Sequence, residues 1–513
     1  MTLRYPPMRG AIAAGHPVTA SVAAQTLQAG GNAADAAVAA TFASFVAEFT
    51  LSTVGGGGFA LVVDAERGKS SLLDFFSAGP GLGRRRPPPP QDLDFQQITV
   101  DYGPSTQHFY IGRGSVAVPG NVAGLAALAQ GYGRLPLAVL LQPAVDLARR
   151  GCQISETQHR IARLIEPILL ATPESRAIFG RDGGHALLQP GEWVRMPDLA
   201  DTLEALGREG PQLFYRGEVA RAIVADQEAH GGLLTLEDLE RYRVRQREPL
   251  SIPFAGHEVL TNPPPSRGGL LIGFSLALWQ ALQPGELRHG SARHLELLAE
   301  VMRVTHLARR DLEAQDLQPR QQAPRLLGPA TVARWAQTLA DLLAVPVAQR
   351  PIDAPPPART STTQISVVDE TGLAVSLTTS GGEGPGFVVP GTGVILNNML
   401  GEADLHPQGF HRTPPGQRIP SMMAPTVAMR EGWPALVTGS GGANRIRSAI
   451  LQVLLNRLAF GLPLAEAVEA SRIHFEEGVL HVEGGNDPAA VDQLEAAGYR
   501  VNRWRERHMF FGG

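Results

Sequence analysis

Apolar and polar positions along this chain follow two rhythms, and glycines mark the changes between them. Thr19 or Ser21 can cap a helix that runs through Ala23, Ala24 and Leu27 and stops at Gly30-Gly31. Asn32 or Asp35 then starts an alanine-rich helix towards Phe49, apolar on most faces, which predicts burial all round. After the run Gly55 to Gly58, the rhythm shortens. Phe59 to Asp64 and Ser70 to Phe75, separated by the polar turn Glu66-Arg-Gly68, read as a hairpin.

The middle of the chain, about residues 120 to 345, is mostly helical in pattern, with loops at Arg84 to Pro90 and Pro263 to Pro265. Prolines between Pro351 and Arg359 predict an extended, exposed linker. Beyond it the pattern turns to strands: Thr363 to Asp369, a turn at Glu370-Thr-Gly372, then Leu373 to Thr379. Val389 to Leu396, Thr426 to Met429 and Ala435 to Thr438 are expected to add strands. Gly439 to Gly442 opens a helix whose stripe is Ile446, Ala449, Ile450, Val453, Leu454 and Leu458, ended by Gly461 and Pro463. Hairpins and helices on both sides of a proline-rich linker suggest antiparallel sheet covered by helices rather than a βαβ repeat.

Composition narrows the class. At 513 residues, 43% hydrophobic and 18% charged, the chain has ample material for a large core, as two domains or one layered unit. A formal net charge of -4 argues against nucleic acid or an anionic membrane as partner. Cys152, the single cysteine, excludes an internal disulfide and a thiolate-rich metal site, and reads as a buried structural thiol. The N-terminal residues carry no apolar signal region and no 18-residue apolar run occurs, so a cytoplasmic protein is expected.

The common catalytic signatures are missing: no His-Glu-x-x-His, no Gly-x-Ser-x-Gly, no Gly-x-x-x-x-Gly-Lys. Gly55 to Gly58 could cradle an anion, but close backbone packing is the favoured reading. The informative stretch is Arg359-Thr-Ser-Thr-Thr-Gln-Ile-Ser-Val-Val-Asp369, where hydroxyl residues lie between the linker and a strand. Composition alone makes it a polar lead-in to a strand. Chemically, a cut there would leave a threonine whose free α-amine, with an ordinary pKa of about 7.7–8.0, can act as base for its own hydroxyl.

At these residues the chain resembles the gamma-glutamyltransferase family of N-terminal-nucleophile hydrolases, over essentially its whole length. Gly30-Gly-Asn-Ala-Ala-Asp-Ala-Ala-Val38 and Gly55-Gly-Gly-Gly-Phe59 are similar to the family's opening signature. Val118-Pro-Gly-Asn-Val-Ala-Gly124, Phe214-Tyr-Arg-Gly217, Gly231 to Thr235 and Pro263-Pro-Pro-Ser266 match interior landmarks. Thr362 to Asp369 resembles the start of the small subunit, followed by Leu396-Asn-Asn398, Met422-Met-Ala-Pro-Thr426 and Val437 to Gly442. The resemblance implies an α+β fold, the four-layer αββα sandwich, and self-cleavage between Ser361 and Thr362 into associated segments, residues 1–361 and 362–513. It makes Thr362 the nucleophile, with Thr363 and Ser380 assisting and the backbone N–H groups of Gly442 and Ala443 as oxyanion hole. No metal or organic cofactor is implied. The implied partners are a small γ-glutamyl or related amide and an acceptor amino acid, peptide or water.

The departures bear on specificity. Phe76 stands where the family places an arginine that grips the substrate's α-carboxylate, and phenylalanine cannot supply that contact. Gly382 replaces an asparagine, and Ser421 is followed by Met422 where two serines are usual. The acid receiving the α-amine is expected to be Glu402, or Asp404 if the alignment slips. The reading is γ-glutamyl transfer or hydrolysis through an acyl-Thr362. The same machinery acting on a glutaryl or other non-glutamyl amide is one alternative, which Phe76 and Met422 favour; an uncleaved, non-catalytic homologue is the other.

Overall fold

A computed structural model describes residues 9–86, 88–101, 106–315, 317–352, 361–406 and 408–512. The chain divides into two compact units, Met1–Glu248 with Ala358–Ile419 and Pro249–Pro357 with Pro420–Gly513. Each unit therefore takes chain from both sides of the Ser361–Thr362 bond.

The first unit is built on a six-stranded antiparallel sheet in the order Gly10–Ala14, Thr363–Asp369, Leu373–Ser380, Gly57–Asp64, Lys69–Phe75 and Arg245–Arg247. Its two central hairpins are those the alternation predicts. Ala60, Val62, Leu73, Phe75, Ile365, Val367, Val375 and Leu377 belong to one buried core. The Ala33–Ala47 and Asn121–Tyr132 helices pack on this sheet. Every residue of the Ala33–Ala47 helix is buried, as its all-round apolar pattern requires. Asn32 caps it by accepting from the N–H of Ala34 and Asp35, while Asp35 accepts from the N–H of Asn32. The preceding helix, Pro17–Gln28, starts two residues before the expected Thr19, capped by His16.

The Gly55 to Gly58 run is closely packed backbone. A Cβ on Gly56 would lie 2.2 Å from the carbonyl oxygen of Ser380, and one on Gly58 2.3 Å from that of Thr378. Cys152 is buried, and burial raises its thiol pKa, which suits a structural thiol.

The expected strand over Val389 to Leu396 does not form. Val389 pairs with Val394 by a single bridge around a turn in which Gly391 and Gly393 have φ of 69° and 64°. Proline at 390 and these two positive-φ glycines turn the chain back before a ladder can extend. The Pro351 to Arg359 linker lies largely outside the described residues, although Ile352 is 70% exposed.

The second unit holds a four-stranded antiparallel sheet, Leu250–Phe254, His257–Thr261, Thr426–Arg430 and Trp433–Thr438, on which the Gly268–Leu282 helix packs. The first two strands interrupt the region expected to be helical. A three-stranded sheet follows, Ile473–Glu476, Val479–Val482 and Arg500–Arg503, its last pair parallel.

Candidate active site

Strand register sets out the site in the first unit. Thr363 pairs with Thr379, Ser380 with Gly57, and Gly58 with Phe75. One row further on, Thr362, Ser380, Gly57 and Phe76 therefore fall in line across the ends of four neighbouring strands. At about 4.8 Å per strand, Phe76 stands about 14 Å from Thr362. Alternation puts Phe76 and Ser380 on the face that carries Phe59, opposite the face that carries Ala60 and Phe75. Phe76 is buried, its ring stacked on Phe59 at 5.5 Å between centroids. The same strand end is braced by Asp74, which accepts from Arg247 at 2.8 Å and from Arg418 at 3.0 Å.

Ser361, on the acyl side of the Ser361–Thr362 bond, is held by two hydrogen bonds. Ser380 Oγ donates to the carbonyl oxygen of Ser361 at 2.5 Å and accepts from the N–H of Gly382 at 2.9 Å. Ser361 Oγ donates to Glu383 Oε2 at 2.7 Å. Thr362 is buried at 7% exposure, and its hydroxyl donates to no group among the described residues.

Thr363 is held from the other side. Its hydroxyl donates to Glu48 Oε2 at 2.6 Å, and Thr19 donates to Glu48 Oε1 at 2.6 Å. Glu48 ends the buried Ala33–Ala47 helix, so the helix core carries a carboxylate directly beneath the start of the Thr363–Asp369 strand. Burial raises its pKa, and the two hydroxyls act in the opposite direction. Sequence reasoning missed Glu48; a lone acid closing an otherwise apolar buried helix was the available signal.

Gly382 opens space beside a second carboxylate. With φ of 65°, it has Glu402 Oε1 2.3 Å and Asn398 Oδ1 2.0 Å from where a Cβ would stand. Glu402 is 2% exposed, and its Oε1 has no hydrogen-bond partner among the described residues. Burial, then the charges of Asp404 and Glu383, push its pKa well above the ordinary carboxylate range. Asp404 is only half-buried, so of the two acids expected here Glu402 is the one turned to Gly382. Asn398 accepts from the N–H of Glu383 at 2.9 Å, fixing the turn that carries it.

The other expected residues lie in the second unit. The Thr426–Thr438 pair places Ser421 and Met422 at the same sheet end as Gly442 and Ala443. Ser421 Oγ accepts from the N–H of Met423 at 3.1 Å, and the Ser421 carbonyl accepts from Ser266 Oγ and the N–H of Arg267. Met422 is buried. Gly442 and Ala443 have φ of 109° and 52°, and the helix opens at Arg445, three residues later than the glycine run suggested. Asn444 Nδ2 donates to the buried Glu476 at 3.0 Å.

Ser361, Thr362, Thr363, Ser380, Gly382 and Glu402 are thus brought together within one unit, with Phe76 at the same sheet end. Among the described residues no group of His, Cys, Asp and Glu is arranged to hold a metal ion, and no helix is long and apolar enough to cross a membrane.

Known proteins resemble this chain over most of its length. The chain is 32% identical over 511 residues to the acylase ACY 1 proenzyme of Pseudomonas sp. strain V22, covering 96% of this chain and 88% of that protein. It is 31% identical over 515 residues to the glutathione hydrolase proenzyme of Escherichia coli K12, covering 96% and 86%. The crystal structure of cephalosporin acylase from Bacillus halodurans superposes with a TM-score of 0.80 at 25% identity, covering 99% of this chain and 91% of that one. The fold is accordingly the N-terminal-nucleophile hydrolase fold that the resemblance implied, and the protein is an enzyme of the hydrolase and acyltransferase class. Residues 19–513 match the gamma-glutamyltranspeptidase model, and the chain belongs to that family.

Proposed function

We propose that the protein matures by cutting its own Ser361–Thr362 bond and then hydrolyses or transfers the acyl group of small amides through an acyl ester on Thr362. The carrying observation is the 2.5 Å hydrogen bond from Ser380 Oγ to the Ser361 carbonyl oxygen, which polarises the one bond whose cleavage frees Thr362. Thr362 Oγ1 attacks the Ser361 carbonyl carbon, the C–N bond to Thr362 breaks, and the hydroxyl proton ends on the released α-amine. Water then opens the ester, leaving a Ser361 carboxylate and an N-terminal threonine. In turnover the α-amine takes the Oγ1 proton as the substrate carbonyl is attacked, and passes it to the leaving amine. Ser380 and the N–H groups of Gly442 and Ala443 are assigned to the oxyanions of these steps. Glu48 anchors Thr363 and so the backbone next to the nucleophile.

γ-Glutamyl amides, with water, an amino acid or a peptide as acceptor, are the substrates the family reading supports, and residues 1–361 and 362–513 remain associated. A non-glutamyl acylase is the second reading, favoured by Phe76 in place of a guanidinium. A glutaryl chain keeps a carboxylate at the same carbon as a γ-glutamyl one, however, so the missing cation weighs against both. Thr362→Ala tests the proposal: the variant is expected to purify as one chain without turnover. Appreciable turnover in it would place the nucleophile elsewhere.

A further inference from the structure

A second cavity of the first unit, about 170 Å³, shares no lining residue with the group around Thr362. Its lining is basic: Arg241, Arg243, Arg245 and Arg418 stand against one acid, Asp238. Three of these arginines come from the run Arg241-Tyr-Arg-Val-Arg-Gln-Arg247, which leaves the Leu236–Arg241 helix and enters the edge strand Arg245–Arg247.

The acid is already satisfied. Asp238 accepts from the N–H groups of Gly81 at 2.8 Å, Leu82 at 2.9 Å and Thr235 at 2.9 Å. Arg241 is paired with Glu237 at 2.8 Å. The other three guanidiniums keep donors in reserve. Arg418, its side chain 5% exposed, uses Nε on Asp74 and Nη2 on the carbonyls of Asp74 and Arg243, which leaves Nη1 outside these bonds. Arg243 uses Nη1 alone, on the carbonyls of Glu240 and Tyr242. No hydrogen bond or ion pair among the described residues engages Arg245. Burial raises the pKa of the Tyr242 phenol, and the charges of Arg418 and Arg245 both act against that rise, so the two guanidiniums stand near one hydroxyl.

Charged residues on an edge strand guard it against pairing with another chain. That accounts for exposed arginines along Arg245–Arg247, but not for a cavity backed by the buried guanidinium of Arg418. Guanidinium forks match phosphate and carboxylate oxygens. Several positive charges around one small space favour an anion that concentrates two charges on one group. A phosphate monoester, with a second pKa of about 6, does so at pH 8. The volume falls below the roughly 300–1,000 Å³ of pockets for drug-sized ligands, which limits the ligand to a phosphate on a short carbon chain.

We infer that this cavity is a binding site for small phosphate monoesters, held by Arg243, Arg245 and Arg418. It is separate from the acyl site and does not depend on which residue is the nucleophile.

Calorimetric titration of the purified protein at pH 8 in low salt, with inorganic phosphate, glycerol 3-phosphate and succinate as probes, tests it. Both phosphates are expected to bind saturably. Succinate, a dianion with its charges on two carboxylates, should bind at least about tenfold more weakly. Loss of one charge-assisted contact is worth about a ten- to hundredfold change in affinity. The double variant Arg243→Gln/Arg245→Gln should therefore bind glycerol 3-phosphate at least about tenfold more weakly than wild type. Both side chains are exposed, and Arg245→Gln alone provides the same comparison should the double variant fail to fold. No saturable binding of either phosphate to the wild type overturns the inference, as does affinity unchanged in the folded variants. Succinate bound as tightly as glycerol 3-phosphate overturns the assignment to phosphates.

Discussion

Replacing Ser380 with alanine removes two hydrogen bonds at once. The first runs to the Ser361 carbonyl oxygen at 2.5 Å, at the short end of the O–H···O range. As the tetrahedral intermediate forms, that oxygen gains negative charge and the contact strengthens, so the hydroxyl stabilises the transition state more than the intact peptide. One lost donor to a developing oxyanion costs about 10²–10³-fold in rate, and self-cleavage of Ser380→Ala should slow by about that factor. The second bond, from the N–H of Gly382 at 2.9 Å, leaves a buried donor unpaired at a cost of about 1–3 kcal/mol of stability. Urea titration of the variant separates the two effects. The assay is the time course of two-fragment formation by intact mass after purification of uncut protein. Ser380→Thr keeps the hydroxyl and should restore most of the rate. Cleavage of the alanine variant at the wild-type rate would refute the reasoning, because the contact at Ser361 would then contribute nothing to the transition state.

Three further outcomes are expected. Glu48→Ala should lower the urea unfolding free energy by about 2 kcal/mol or more, since the buried hydroxyls of Thr19 and Thr363 both lose their acceptor; it should also slow maturation, measured by the same intact-mass time course. Glu402 holds its proton in the folded chain to well above the pH, about 4.3, at which an unfolded glutamate ionises, under the influence of burial, Asp404 and Glu383. The native state then binds more protons than the unfolded one above that pH, so this group makes stability fall as pH rises. Glu402→Gln lacks the effect, and its urea midpoint relative to wild type should rise between pH 5 and pH 8; a constant difference contradicts the assignment. Phe76→Arg should raise kcat/KM for γ-glutamyl and glutaryl p-nitroanilides, which carry a carboxylate, relative to butanoyl p-nitroanilide, which carries none, if the guanidinium stands at the acyl pocket; an unchanged ratio would move Phe76 out of it.

Local pattern made the sheet around the site legible. The Gly57–Asp64 and Lys69–Phe75 pair and the Thr363–Asp369 and Leu373–Ser380 pair each have alternating strands around a polar turn, and both formed as expected. The alanine-rich Ala33–Ala47 helix declared its burial. The Leu250–Phe254 and His257–Thr261 hairpin did not declare itself, because its turn is Ala255-Gly256, with φ of 47° and 73°, where an Asn-Gly pair would give the usual signal. The site was legible where residues are contiguous or follow family motifs, as at Thr362, Ser380 and Glu402. Glu48 and Glu383 were not, because their roles come from partners 315 and 22 residues away that only the register brings into reach.

The central claim is that Thr362 becomes an N-terminus. Intact mass and N-terminal sequencing of the purified wild-type protein test it most directly. The account predicts two associated fragments, the smaller beginning Thr-Thr-Gln-Ile. A fully active protein that remains a single 54.6 kDa chain would contradict it.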